Sequence, residues 1–249
     1  MLLPLRDENP LVHTPVATIA LIVINLLAWF GLQGFGSPDA LYSSVCNFGL
    51  IPGDLLGNSP VGTGFPVDSG GNCRIDGNGS YMTVFSSMFM HGSWMHLIGN
   101  MWFLWIFGDN VEDAMGPVRF VIFYLLSGTA AAAAQTATDP TSTIPMVGAS
   151  GAIGGVMGAY ALLYPRARIL NWFVITTVSV PAFIMLGYWV ALQFFGSFAQ
   201  DGGGGGVAFW AHIGGFIAGA ALVWVFRRED YVREHLSQPR RATAKHRWF

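Results

Sequence analysis

The chain has 249 residues, 53% hydrophobic and 10% charged, with a formal net charge of -2. A soluble domain carries about a quarter charged residues, so this composition excludes an ordinary water-soluble globule. The basic residues line no groove-like surface, which argues against nucleic-acid binding. The apolar residues instead fall in long blocks nearly free of Asp, Glu, Lys and Arg, a membrane signature. The length then suits one integral domain that uses most of the chain to cross a bilayer.

In chain order, residues 1–15 read as a cytoplasmic N-terminal segment and residues 16–226 as the membrane domain. A crossing helix needs roughly 20 mostly apolar residues. Six stretches qualify: Val16 to Gln33, Ser93 to Phe107 with flanking turns, Val118 to Ala137, Gly148 to Tyr164, Trp172 to Phe198 and Val207 to Phe226. The prediction is an all-α integral membrane bundle of six transmembrane helices. No small-residue cleavage site follows the first stretch, which reads as a mature helix.

Between the first two spans, Gly34 to Ser80 has the Gly, Pro, Asn, Ser and Asp content of a loop. It holds both cysteines, Cys46 and Cys73, which either pair in an oxidising exterior or stay free thiols. The apolar run from Tyr81 to Met90 is expected in the interface, with a break at His91-Gly92. The run Gly202 to Gly206 reads as a lid hinge or a plain linker. Residues 227–249 read as a flexible basic tail, either drawn to anionic lipid or solvated without a specific partner.

Orientation follows from Lys and Arg. A cytoplasmic N-terminus puts Arg6, Arg119, Arg166, Arg168, Arg227, Arg228, Arg233, Arg240, Arg241, Lys245 and Arg247 inside and leaves only Arg74 outside. Both termini are then cytoplasmic, and the expected location is a prokaryotic plasma membrane.

Polar side chains inside a membrane are costly and need a reason. Four stand out: His96, Asn100, Ser150 and His212. Counted at about 1.5 Å per residue from the inner helix ends, all four lie in the outer half of the bilayer. His96 and Asn100, four residues apart, share a helix face, whereas His91 points elsewhere and is expected in surface or loop packing. Gly151, Gly154, Gly155 and Gly158 follow the serine, and Gly215 and Gly219 follow the histidine at a spacing that permits close helix approach. Taken alone, the glycines are packing surfaces and a membrane serine bonds its own helix. Their coincidence in depth with a histidine points to chemistry.

Neutral imidazole suits removal of a serine proton near pH 7, so Ser150 is the candidate nucleophile and His212 its base. The Asn100 amide, the His96 ring and the Ser150 backbone N–H are candidate oxyanion donors. No acidic residue lies at this depth, so the set is a dyad whose imidazole is oriented by helix packing. Gly148-Ala149-Ser150-Gly151-Ala152 is not a GxSxG elbow, which excludes an α/β-hydrolase.

These residues resemble the rhomboid intramembrane serine proteases across nearly all six helices. HGSWMHLIGN (His91 to Asn100) is similar to the family's second-helix motif, GASGA (Gly148 to Ala152) to its GxSG motif, and AHIGGFIAG (Ala211 to Gly219) to its final-helix histidine motif. The resemblance implies a six-helix rhomboid-like bundle with Ser150 as nucleophile, His212 as base, and His96 and Asn100 stabilising the oxyanion. Glu112 and Gly116 match the family's ExxxG pattern and imply a structural role. Two positions depart: Met82-Thr83 replace a common Trp-Arg pair, and Gly154 stands where many members carry an aromatic ring under the histidine.

The resemblance implies a serine endopeptidase that cuts single-pass transmembrane proteins in or near their membrane segments. A noncatalytic rhomboid-like binding or sorting factor is the alternative, opposed by retention of all four site residues. A transporter would need a repeat or an acidic coupling site, and neither is apparent. No metal or organic cofactor is implied, since His91 and His96 are a poor helical metal pair at their spacing. The oligomeric state is not specified.

Overall fold

The computed structural model describes residues 2–67, 71–199 and 207–237. The apolar blocks fold as helices: α1 (Val16–Gly31), α5 (Trp94–Met115), α6 (Pro117–Thr138), α7 (Ser150–Leu163), α8 (Ala182–Ala199) and α9 (Phe209–Phe226). Between α1 and α5 lie the short helices α2 (Pro38–Phe48), α3 (Pro52–Leu55) and α4 (Thr83–Ser86) and the strands β2 (Gly64–Val67) and β3 (Gly71–Arg74). Strands β1 (Leu2–Asp7), β4 (Arg168–Phe173) and β5 (Thr176–Pro181) and helix α10 (Glu229–Ser237) complete the fold. Among the described residues, α6 and α9 are each long and apolar enough to cross a membrane unaided.

The fold is mostly helical, but the all-α expectation needs correction. β1, β4 and β5 form an antiparallel sheet in the order β1-β4-β5, and β2 pairs with β3. The stretch Trp172 to Phe198 is accordingly not one helix. Its first part is rich in β-branched residues (Val174, Ile175, Thr176, Thr177, Val178, Val180), which favour a pleated strand, and it turns back at Val174, whose φ is 57°. α8 begins only after Pro181, where a helix tolerates the missing N–H.

Three other boundaries shift. α1 stops at Gly31, and Gln33 is buried beyond it. α5 runs past Phe107 through Asp109, Glu112 and Asp113 to Met115. The tail is not flexible throughout: α10 folds back on the bundle, with the Arg228 N–H donating to the Ala114 carbonyl at 2.8 Å. Gly202 to Gly206 and residues 238–249 lie outside the described residues.

The charges at the end of α5 explain why that helix outlasts its apolar run. Helix α1 starts after Pro15, which offers no capping side chain, yet a helix leaves its first N–H groups unpaired. Glu112 supplies the missing acceptors: Oε1 takes the Ala17 N–H at 2.8 Å and Oε2 the Thr18 N–H at 2.7 Å. A carboxylate at a helix N-terminus also opposes the positive end of the macrodipole. Next to it, Asp113 accepts the N–H groups of Val12 and His13 and faces Nδ1 of both His13 (2.7 Å) and His235 (3.1 Å). One carboxylate thus joins the N-terminal segment, α5 and α10.

Asp7 in β1 closes the same end, accepting from the Tyr160 hydroxyl at 2.6 Å and from Asn110 Nδ2 at 3.1 Å. Burial holds the Asp7 carboxyl well above the usual carboxylate range, and the neighbouring Asp109 adds to this. At the opposite end, Cys46 and Cys73 form a disulfide joining α2 to β3. The strand-like segment after α2 then pairs Leu50 with Met146 through two backbone bonds of 2.8 and 2.9 Å. This cap therefore holds the loop that leads into α7.

Removing the Glu112 carboxylate orphans two buried N–H groups. Glu112→Ala should cost about 2 to 4 kcal/mol of stability, and Glu112→Gln should cost less. Thermal unfolding of both in one detergent checks this; equal stability to wild type would show that α1 is capped by solvent.

Candidate active site

Ser150 is the first residue of α7 and His212 the fourth of α9. The two helices abut through glycine. A Cβ built on Gly215 would fall on the Gly151 carbonyl, one on Gly219 on the Gly155 carbonyl, and one on Gly158 on the Phe216 carbonyl. No side chain fits between the backbones, so the helices meet at the closest spacing available. This brings Ser150 Oγ to 2.8 Å from His212 Nε2.

The chain enters α7 through Gly148, whose φ of +126° is a conformation that L side chains rarely adopt. Its N–H donates to the Ser87 carbonyl at 2.8 Å, fixing the approach. As first-turn residues of a helix, Ser150 and Gly151 have N–H groups without intrahelical partners.

His96 and Asn100 share the face of α5 turned to this entry. A Cβ on Gly148 would stand 2.7 Å from His96 Nε2 and 3.5 Å from Asn100 Nδ2, so both groups pack closely against the Gly148 backbone and leave no room for a side chain there. His96 Nδ1 accepts the Gly92 N–H at 3.4 Å, which assigns the ring proton to Nε2, facing Gly148. Asn100 is buried, and its Nδ2 has no partner among the described residues. Two donors are thus held against the backbone that leads into the serine, where donors would serve a developing negative oxygen. The structure brings all four predicted residues together.

Several features were not visible in the sequence. His212 Nδ1 lies 2.7 Å from Gln193 Oε1 on α8, a side chain with no motif around it. Trp189, one turn earlier, packs its ring against His212 with centroids 5.7 Å apart and planes at 38°. Gly154 explains the arrangement: its Cβ would stand 2.9 Å from the His212 carbonyl, so that position faces backbone and has no room for a ring. The aromatic support comes from α8.

Of the two places expected for His91, surface or loop packing, the structure shows the second: it is fully buried in the break before α5. Its backbone N–H donates to Gln33 Oε1 at 2.8 Å and its carbonyl accepts from Gln33 Nε2 at 2.7 Å, which ties the break before α5 to the end of α1. Met82 is exposed and anchors nothing; the loop is held instead by Gln33 and by Ser86, whose Oγ donates to the Phe48 carbonyl at 2.8 Å. Beside Ser150 lies a cavity of about 20 Å³ walled by Met88, Gly128, Ala131, Ala132, Gly151 and Ala211. Among the described residues, no three His, Cys, Asp or Glu side chains are grouped as metal ligands.

The helical core, the serine-bearing helix start and its histidine partner define a membrane domain of a known type. Residues 78–229, more than half of the chain, match the Rhomboid domain, and the chain belongs to the rhomboid family. It is 30% identical over 179 residues to the mitochondrial Rhomboid protein 1 of Saccharomyces cerevisiae, covering 68% of this chain and 48% of that protein. Over 151 residues it is 29% identical to the chloroplastic Rhomboid-like protein 11 of Arabidopsis thaliana, covering 57% and 51% of the two. It is 34% identical over 146 residues to the Rhomboid protease GluP of Bacillus subtilis, covering 58% and 26%. The chain spans about half the length of the first curated relatives it matches. Family membership makes it a membrane protein. Relatives from mitochondria, a chloroplast and a bacterium do not support a specifically prokaryotic membrane.

The close packing at Gly148 gives a direct expectation. Gly148→Ala should displace His96 and slow reaction of Ser150 with a fluorophosphonate by about 10²- to 10³-fold, and Asn100→Ala, which strains no backbone, by about 10²-fold. Labelling of both at the wild-type rate, in folded protein, would show that neither donor contributes to the reaction.

Proposed function

We propose that the chain is an intramembrane serine endopeptidase that cleaves peptide bonds in or near the transmembrane segments of single-pass membrane proteins. The observation that carries this reading is the 2.8 Å contact between Ser150 Oγ and His212 Nε2 at a helix start bordered by oxyanion donors. Membership in a family that includes a protein named a protease supports it.

In this mechanism His212 Nε2 takes the Ser150 proton while Oγ attacks the scissile carbonyl carbon. The carbonyl oxygen becomes an oxyanion beside Gly148, where the His96 Nε2–H, the Asn100 amide and the Ser150 N–H stabilise it. Collapse of this intermediate breaks the C–N bond, and Nε2–H protonates the departing amine. Water then attacks the acyl group on Ser150 by the same steps in reverse order, regenerating the serine. The small cavity walled by alanine and glycine suits a small side chain at the cleaved bond.

We further infer that α1, α5, α6, α7, α8 and α9 cross the bilayer, with both termini on the cytoplasmic side. They run alternately up and down. Exposed apolar side chains such as Leu27, Trp105, Ile122, Phe195, Ile217 and Val225 would meet lipid. Arg119, Arg166 and Arg227 flank the helix ends opposite Ser150, while Arg74 lies in the disulfide-bonded cap on the Ser150 side.

A panel of single-pass membrane substrates reconstituted with the protein tests the reading. Ser150→Ala and His212→Ala should each abolish turnover without unfolding the bundle. Wild-type cleavage should fall as pH drops through the imidazole titration, because only neutral His212 accepts the serine proton. Replacing a small residue at the cleaved bond by phenylalanine should slow cleavage. Full activity in folded Ser150→Ala would refute the assignment.

A further inference from the structure

We propose that Gln193 is a positioning residue that fixes the tautomer and orientation of His212, giving the dyad a third member supplied by α8; this rests on the serine-protease reading above. The His212 ring is contacted by Ser150 from α7 and by Trp189 and Gln193 from α8, and its nearest titratable neighbour is His96 of α5. Among the described residues no carboxylate bonds to the ring. Each nitrogen has one partner, and the two partners differ in kind.

A glutamine Oε1 only accepts, so Nδ1, 2.7 Å away, must carry the ring proton. Nε2 then presents its lone pair to the Ser150 hydroxyl. With the other tautomer, Nε2–H would point at the serine and no base would be available. The Gln193 contact therefore selects the reactive form before substrate arrives.

It acts again during the reaction. When Nε2 takes the serine proton, the imidazolium has two N–H groups. The Nδ1–H keeps donating to Gln193, and the Nε2–H is the one passed to the leaving amine. Gln193 itself gains and loses no proton. It holds the place a carboxylate occupies in a Ser-His-Asp triad, but with a neutral acceptor, so the imidazolium gains a hydrogen bond without a buried countercharge. Trp189 and Gln193, four residues apart on α8, hold the ring by its face and by its edge.

The test compares wild type with Gln193→Met, Gln193→Glu and Ser150→Ala in one lipid, with kcat and KM on a reconstituted single-pass substrate, fluorophosphonate labelling and thermal unfolding. Gln193→Met keeps the length but removes the acceptor. It should lower kcat and the labelling rate together by about 10- to 100-fold while KM changes less than about 2-fold. Gln193→Glu restores an acceptor and adds a negative charge, which favours imidazolium and raises its titration. It should recover activity at higher pH, with the acid limb of the profile displaced upward from wild type.

A packing role would instead lower unfolding temperature and activity together in both variants, leaving the acid limb in place. That result, or wild-type kcat in Gln193→Met, overturns the inference. The serine-protease reading fails separately, through activity in Ser150→Ala or through loss of the Ser150-dependent labelling in wild type.

Discussion

Along the seam between α7 and α9, the backbone carbonyls of one helix occupy the places where β-carbons of the other would stand. Gly151, Gly155 and Gly158 on α7 and Gly215 and Gly219 on α9 interlock in this way over two turns. A side chain at Gly158, Gly215 or Gly219 would meet the carbonyl of the other helix and force the two backbones apart. A distance of 2.8 Å between Ser150 and His212 depends on that seam, since both side chains are short and each sits at the start of its helix. Much of the remaining structure maintains it: α6 backs both helices, with Ala131 against Gly151 and Ala134 against Gly214. The serine loop is pinned from outside by Leu50 and Ser87.

The two ends of the bundle use their polar groups differently. At the end bearing the serine, Asn100 Nδ2 is buried without a partner among the described residues. At the other end three carboxyl groups act as joints, with Glu112, Asp113 and Asp7 together receiving bonds from α1, the N-terminal segment, α7 and α10. Removing any one of them would take the acceptor from two or more donors at once.

What could be read from the sequence divides along the same physical line. Ser150, His212, His96 and Asn100 were legible because a polar side chain in an apolar run has few explanations, and counting residues from the charged helix ends put the four at one depth. The glycine seam was legible as spacing. Gln193 was not, because a glutamine in α8 has no periodic or motif signal and its partner is 19 residues away on another helix. The β4–β5 hairpin was hidden by hydropathy: Trp172 to Phe198 carries no charged residue, and only the β-branched content of its first part distinguishes strand from helix. The extent of α5 was missed because Asp109, Glu112 and Asp113 look like a solvated end until the N–H groups they receive are known. The ordering of α10 depends on His235 meeting Asp113, a pairing between distant segments that local pattern does not encode.

The small sheet at the end opposite the serine constrains when the fold can be finished. β1 is made well before its partner β4, and Asp7 bonds to a tyrosine 153 residues further along the chain. Until β4 has been made the strand has no edge to pair with, and until α7 has been made Asp7 lacks its Tyr160 donor. Leu2–Asp7 must therefore wait beside the growing bundle and be drawn in late. Closure of this nonlocal contact is slow compared with helix formation. It also makes β1 a reporter of completion: a protease that cuts the unpaired strand would distinguish chains in which the sheet has closed from those still assembling.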